Sequence, residues 1–331
     1  MTLNGKPKFA MYWAAACGGC EISVLNIHEK ILDVDANFDV VFWPVAMDSK
    51  YKDVEAMPDH SILLTLFNGG IRNEENEEIA LLLRKKSQLL VAFGSCASEG
   101  GIPALGNLGT RQSIFETAYF TVSTENPSQI YPQSTYEAPE GVLHIPKIYP
   151  VLKTLDQVVP VDYFMPGCPP EPHQISAVID LVIQVLKGQA ELPPKGSVIG
   201  AGMSTVCDEC TRKRNEKKLK KFVRIQDVET IDPELCLLEQ GIPCNGPATR
   251  SGCNARCPSV GAQCVGCYGP AEGVIDFGAR LMSSFASVID SNDPEEVDRI
   301  LDGIPDPAGQ FYRFNLAKSL LRASRYAWKG E

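Results

Sequence analysis

Over its first 190 residues the chain alternates short apolar runs with longer amphipathic ones. Lys8–Trp13, Val40–Met47, Ser61–Phe67, Gln88–Phe93 and Val161–Met165 have strand length. They are nearly continuous in apolar character, as strands covered on both faces are. Between them, Glu21–Val34 places Ile22, Leu25, Ile31 and Leu32 at helical spacing. Glu74–Lys86 opens acidic and closes basic, as the helix dipole favours. Val151–Val158 reads as a further helix, and Pro172–Lys187 as another, closed by Gly188. Strands alternating with helices predict an α/β fold with a mostly parallel sheet, flavodoxin-like in character.

The texture changes past Leu192. ELPPKGSVIGAG is a Pro/Gly linker, and residues 207–267 hold eight cysteines with little periodicity. The tail carries DPEEVDRIL and FNLAKSLLRASRYAW, which read as two short helices. This gives a sheet domain over 1–190, an irregular cysteine-rich domain over 191–285 and a helical tail over 286–331. Residues 121–147, rich in Pro, Ser, Thr and Tyr, read as a surface insertion.

Composition narrows the function. A formal net charge of −10 argues against a general nucleic-acid binder, which needs a basic surface. No apolar run reaches the roughly 18–20 residues that span a bilayer, so no direct membrane insertion is expected. MTLNGKPKFAMYW has neither a signal-peptide pattern nor a twin arginine, and the expectation is a cytoplasmic protein. Twelve cysteines in a reducing compartment point to metal ligands or catalysis rather than disulfides. GIPALGNLG and YGPAEG match neither GxGxxG after a strand nor a P-loop, and no nucleotide site is predicted.

Four cysteines follow predicted strands: Cys17 and Cys20 in AAACGGCEIS, Cys96 in FGSCAS and Cys168 in MPGCPPEP. In a parallel sheet these strand ends share one edge, where such sheets place their sites. Neighbouring Gly and Pro let backbone approach a bulky group. The four read as one tetrathiolate site. A thioredoxin-like redox pair explains only Cys17 and Cys20, and structural zinc needs no glycine-lined space. Among the later eight, the split by proximity puts Cys207, Cys210, Cys236 and Cys244 in one site. Cys253, Cys257, Cys264 and Cys267 then form another. Zinc remains a rival there, because CxxC pairs also build zinc modules.

Strand-CGGCE, GSCASEGGIPALGNL and PGCPPEP, in this order, resemble the small subunit of [NiFe] hydrogenases. FWPVAMDSKYKDVEAMPD and NGGIRNEENEEIA are similar to the cytoplasmic methyl-viologen-reducing (deazaflavin-independent) type. The resemblance covers residues 8–270. It implies a proximal [4Fe–4S] cluster on Cys17, Cys20, Cys96 and Cys168. It implies a medial cluster on Cys253, Cys257, Cys264 and Cys267, and a distal one on Cys207, Cys210, Cys236 and Cys244. The periplasmic enzymes have histidine where Cys207 stands and proline where Cys257 falls. With cysteine at both, three [4Fe–4S] clusters and no [3Fe–4S] centre are expected. The [NiFe] centre belongs to a partner large subunit, since nothing in this chain resembles it. Electrons would pass on to an iron–sulfur or flavin subunit, such as a heterodisulfide reductase-like partner.

Glu21 follows Cys20, and in relatives a glutamate near this position is linked with proton movement. It also suits a plain first-turn acid complementing the helix dipole. His173 reads as a second donor near a cluster or as polar surface. TRKRNEKKLKKFVR, residues 211–224, is a basic run in an acidic chain, read as a docking patch or a solvated helix face.

Overall fold

The protein was analysed as a computed structural model, which describes residues 5–215 and 218–321. Nine strands are present among them: β1 Lys8–Trp13, β2 Asp39–Phe42, β3 Ile62–Asn68, β4 Ile71–Asn73, β5 Ser87–Phe93, β6 Thr135–Ala138, β7 Gly141–His144, β8 Ile148–Lys153 and β9 Tyr163–Met165. Around the sheet lie α1 Gly19–Leu25, α2 Ile31–Asn37, α3 Tyr51–Glu55, α4 Glu74–Lys86, α5 Ser95–Glu99, α6 Arg111–Tyr119 and α7 Pro172–Leu186. The C-terminal part adds α8 Val206–Glu209, α9 Arg256–Ser259, α10 Phe277–Ala286, α11 Pro294–Leu301 and α12 Pro307–Tyr312.

The main sheet has five strands in the order β2-β1-β3-β5-β9, every neighbouring pair parallel. Counting its strands along the chain, this is 2-1-3-4-5, the flavodoxin-like order, with a switch point between β1 and β3. Side chains alternate between two cores because strand period is two. Phe9, Met11, Leu64, Leu66, Val91 and Phe93 face α1, α2 and α7 through Val24, Val34, Ile175 and Val182. Ala10, Tyr12, Phe67, Leu90 and Ala92 face the other way, onto Val54, Ile79, Leu83 and Ala97. Each of these large side chains contributes about 1.5–3 kcal/mol on burial.

The Glu74–Lys86 helix has its expected bounds. The Asn73 side chain accepts from the Asn76 N–H at 2.8 Å, and three glutamates fill the first turn. Other segments depart from the sequence reading. The Glu21–Val34 stretch breaks into α1, a single 3₁₀ turn and α2, with His28 in the left-handed region at φ 55°. β2 stops at Phe42, because Pro44 has no N–H and Ala46 and Met47 turn back onto the Trp43 carbonyl. Val151–Val158 is not a helix: β8 pairs antiparallel with β4, and only Leu155–Gln157 makes a 3₁₀ turn. Long-range pairing overrides local spacing there. The Pro/Gly linker runs beside β9, where Phe164 N–H donates to Ser197 O and Ile199 N–H to Phe164 O, covering the sheet edge. The insertion contains the exposed β6–β7 hairpin. DPEEVDRIL forms α11. Of FNLAKSLLRASRYAW, Leu316–Lys318 form a 3₁₀ turn, and the part past Leu321 lies outside the described residues.

A third core joins Ala104 and Leu152 of the sheet region to Leu219, Phe285, Phe311, Leu316 and Ala317. The tail therefore returns to the loop after α5. Gly101 N–H donates to Phe314 O at 2.9 Å, Gln157 Nε2 to Ala317 O at 2.9 Å, and Lys318 Nζ lies 3.1 Å from Asp156 and 3.9 Å from Glu99.

Two stability predictions follow from buried carboxylates. Burial alone would raise the Asp162 carboxyl. Arg84 at 2.6 Å, Lys195 at 2.6 Å and the Leu90 N–H more than offset it, so the group lies below its usual range. Its contribution is present above the unfolded carboxylate range and is lost as pH falls. Asp162→Ala leaves the largely buried Arg84 without a carboxylate, held only by the Pro160, Ser87 and Gln88 carbonyls, and is expected to cost about 2 kcal/mol, read as a lower apparent melting temperature. Glu99 behaves oppositely. Burial, with Asp156 adding and Lys318 and Arg250 opposing, pushes its carboxyl up to about 7 from an ordinary 4.5. Folding then takes up a proton across that window, and stability is lost as pH rises through it. Glu99→Gln should raise the apparent melting temperature at about pH 8.5 and have much less effect at about pH 5.5. An equal effect at both would contradict this assignment.

Candidate metal centres

Chain geometry gathers the first four thiols. Cys17 and Cys20 follow β1, with Gly18 in the left-handed region at φ 84° turning the chain between them and opening α1. Cys96 sits in α5 just past β5, after Gly94 at φ 81°. Cys168 follows β9, after Gly167 at φ 134°. All lie at C-terminal ends of parallel strands, hence on one edge of the sheet.

Their electrostatics show that they share one space. Burial pushes the Cys20 thiol well up, and Cys96, Cys168 and Cys17 push it the same way. Cys96 is driven up to about 12 by burial, then by Cys168 and Cys17. Cys168 is raised by burial and by Cys17. The thiolate is the metal ligand, and several thiolates in a desolvated pocket repel one another. A cationic metal centre relieves both costs.

The surroundings fit such a group. A Cβ at Gly94 would lie 2.4 Å from Cys20 Sγ, and one at Gly101 2.5 Å from Cys96 Sγ. Asn68, at the end of β3, is fully buried; its side-chain amide makes no hydrogen bond of ordinary geometry among the described residues but stands close enough to the Glu21 carboxylate to act on it. Its Oδ1 lies 3.8 Å from the Cβ position of Gly94, beside Cys20. Sequence reasoning missed Asn68. The available signal was a lone amide closing a buried strand on the edge that carries the thiols.

Glu21 is not a solvent-facing helix acid but is 3% exposed. Trp43 Nε1 donates to its Oε2, while Oε1 is buried without a partner. Burial raises its carboxyl, with Trp43 and Asn68 opposing. His173 lies exposed in the first turn of α7.

Among the later eight thiols, Cys207, Cys210, Cys236 and Cys244 act on one another, as do Cys253, Cys257 and Cys267. Cys207 lies in α8 and Cys210 closes it, with the Thr205 N–H donating to Asp208 at 2.8 Å. Burial drives Cys207 up to about 12, with Cys244, Cys236 and Cys210 adding and Arg214 opposing. Cys244 reaches about 11 through burial, opposed by the Gly246 and Cys264 N–H groups and raised by Cys236 and Cys210. In the other set, Asn254 and Ala255 both adopt left-handed backbone. The Ala255 and Arg256 N–H groups then face Cys253, opposing the burial that raises it. Cys267 is driven up to about 12 by burial, then by Cys253, Cys168 and Cys257.

The sets touch in sequence. The Cys168 N–H faces the Cys267 thiol. The Cys264 N–H donates to Cys244 Sγ at 3.3 Å. Cys267 thus lies toward the first four thiols, and Cys264 toward Cys244. Tyr268 holds the first junction: its hydroxyl accepts from the Glu171 N–H at 3.0 Å and donates to Gln174. Gln174 Nε2 in turn donates to Gly252 O at 2.7 Å. Among the described residues no three His, Cys, Asp or Glu side chains converge as ligands of one ion do.

Among the described residues no helix is long and apolar enough to cross a membrane. Residues 17–182 match the family of the NADH ubiquinone oxidoreductase 20 Kd subunit. The chain is 38% identical over 322 residues to the iron–sulfur subunit of the F420-non-reducing hydrogenase of Archaeoglobus profundus, covering 95% of this chain and 97% of that one. It is 36% identical over 325 residues to the corresponding subunit of the F420-non-reducing hydrogenase of Methanothermobacter marburgensis, covering 96% of each. A recombinant [NiFeSe] hydrogenase from Desulfovibrio vulgaris Hildenborough shares the fold, with a TM-score of 0.51 at 18% identity over 82% of this chain and 96% of that one. The chain belongs to the hydrogenase small-subunit family that includes these subunits of the F420-non-reducing hydrogenases.

Proposed function

We propose that this chain is the electron-transfer subunit of a cytoplasmic [NiFe] hydrogenase, carrying electrons between a large subunit that activates H2 and a redox partner. Cys17, Cys20, Cys96 and Cys168 would hold a proximal [4Fe–4S] cluster. Cys253, Cys257, Cys264 and Cys267 would hold a medial one, and Cys207, Cys210, Cys236 and Cys244 a distal one. The sheet domain to about residue 190 carries the first, residues 191–285 carry the other two, and the tail from 286 closes the assembly. Bound there, the clusters supply one-electron transfer at potentials set by thiolate ligation, hydrogen bonds to sulfur and solvent exposure.

The observation that supports this reading most directly is the contact of the three thiol sets in series, through Cys168 with Cys267 and Cys264 with Cys244. The protein's own work is positional. Asn68 is buried beside Glu21 and close to Cys20, and the Ala255 and Arg256 N–H groups face Cys253. Glu21, buried with one free carboxylate oxygen, is the residue we assign to relaying protons beside the first set. The electron acceptor would be an iron–sulfur or flavin subunit of heterodisulfide reductase-like type. The hydrogenase relatives favour iron–sulfur clusters over a zinc-stabilised scaffold.

Metal analysis of the anaerobically purified complex tests the assignment. About twelve irons and twelve sulfides in this chain, with about one nickel and one further iron in the large subunit, are expected. Four irons with zinc would restrict redox chemistry to the sheet domain, and iron without nickel would remove hydrogen activation. Gly94→Ala drives a Cβ against Cys20 Sγ at a position of positive φ. It should lower iron by about four per chain and leave the remaining signals intact; full iron content would refute the cradle at Gly94.

A further inference from the structure

Residues 211–224 are not a helix face. None of the described residues of this run is helical, and Lys213 instead pairs with Leu235. Eight Lys and Arg residues stand in it, in a chain of net charge −10. Lys213, Arg214, Lys218, Lys220, Lys221 and Arg224 are exposed, as charged side chains usually are. Arg212 is buried, at 9% exposed.

The Arg212 guanidinium is engaged by main-chain carbonyls. Its Nε donates to Pro258 O at 2.7 Å, and its Nη1 donates to Asp232 O at 2.7 Å and to Leu235 O at 2.9 Å. Its Nη2 lies 3.8 Å from the Cβ position of Gly261. No ion pair among the described residues includes Arg212. Asp232 meets it through its carbonyl, while the carboxylate of that exposed residue accepts from the Glu234 N–H at 2.8 Å and the Leu235 N–H at 3.2 Å. Arg250, as deeply buried in this half of the chain, does have a carboxylate, Glu272 at 3.3 Å. A guanidinium keeps its charge in any surroundings. Taking that charge out of water is costly, and carbonyl dipoles repay only part of the cost.

The carbonyls that Arg212 holds stand next to thiols of two sets. Pro258 follows Cys257, Leu235 precedes Cys236, and Arg212 itself comes two residues after Cys210. Both loops are tied in place. The Gly261 N–H also donates to Pro258 O, at 3.2 Å, and the Ala262 N–H to Cys257 O at 2.9 Å. On the other side the Cys236 N–H donates to Lys213 O at 2.8 Å, and Gln240 Nε2 to Leu235 O at 2.9 Å. We propose that Arg212 is the internal counter-cation of the two later clusters, fixed between the Cys257 and Cys236 loops, and that its charge raises the reduction potential of both. The inference rests on the medial and distal clusters proposed above and adds the residue that tunes them. A [4Fe–4S] core on four thiolates is a net anion. Reduction adds one electron, taken from the preceding cluster, and no bond forms or breaks. The core then carries one more negative charge, so a fixed cation beside it favours the reduced form, and burial strengthens that effect. The same anions supply the counter-charge that the polypeptide around Arg212 lacks.

The test is a redox titration of the purified complex of this chain with its large subunit, read by EPR, with iron counted on each preparation. Arg212→Met, uncharged and similar in length, should keep about twelve irons in this chain. It should make two of the three clusters about tenfold harder to reduce, a lowering of about 59 mV each, and leave the third unmoved. Arg212→Lys keeps the charge and loses the planar fork. It should leave all three potentials near wild type while lowering the apparent melting temperature. Full iron in Arg212→Met with none, only one or all three of the potentials lowered would overturn the proposal. So would equal lowering in Arg212→Met and Arg212→Lys, because the fork and not the charge would then carry the effect. If Arg212→Met loses iron, Arg212→Lys decides. Full iron and wild-type potentials there uphold the counter-charge, and loss of iron in both variants makes Arg212 a structural tie and overturns it. Four irons with zinc in the wild-type complex would instead remove the medial and distal clusters themselves, and the tuning with them.

Discussion

The constraint on which the structure depends is the cost of crowding thiolates away from water. Cys20, Cys96, Cys207, Cys244, Cys264 and Cys267 are all pushed up, with burial the largest cause at each. Neighbouring thiols add to it. A polypeptide holds such groups together only if something cationic binds them and if the backbone brings N–H groups to the sulfurs. The Cys264 N–H at Cys244 and the paired N–H groups at Cys253 do the second in part. The irregular course of the described residues between 203 and 270 follows from this. A helix or strand spends its N–H groups on its own ladder, whereas a loop can aim them at sulfur.

The same constraint explains the division of labour between the two halves. A parallel sheet delivers the ends of β1, β5 and β9 to one edge without distortion, so three short loops suffice to gather four thiols. Its two hydrophobic cores carry the stability and leave the edge free to be polar and glycine-rich. The later segment has no sheet to lean on. It borrows rigidity from Tyr268 and Gln174, which tie it to the start of α7, and from the third core, which ties α10 and the tail to Ala104 and Leu152. The junction between first and second thiol sets is therefore also the junction between the two halves of the chain.

Charge follows a separate logic. The chain is acidic overall, yet residues 218–224 hold four cations and no acid. The buried side chains of Leu219 and Phe222, with backbone hydrogen bonds from Leu219 to Val288 and from Val223 to Gly241, hold a run of like charges over residues 218–224 against the body. Apolar burial there offsets a repulsion that an isolated segment would relieve by moving apart.

The sequence by itself determined the sheet, the twelve candidate ligands and the family. Strand-length apolar runs, CGGCE, GSCASEGG and PGCPPEP are local signals, and local signals survive without knowledge of the fold. The acidic start and basic end of Glu74–Lys86 belong with them, since capping and dipole effects act within a turn. What depends on distant partners was not legible. Val151–Val158 has helical spacing but gave way to pairing between β8 and β4, which lie far apart in the chain. α10 and α12 escaped notice because their apolar faces make sense only against the third core. Asn68 drew no notice, because only β3 carries its buried side chain to the edge beside Cys20 and Glu21. What the resemblance implied as an order of thiol sets, the tertiary structure supplied with a physical path: the Cys168 N–H faces Cys267 and the Cys264 N–H donates to Cys244, contacts between residues far apart in the chain that no local signal carries.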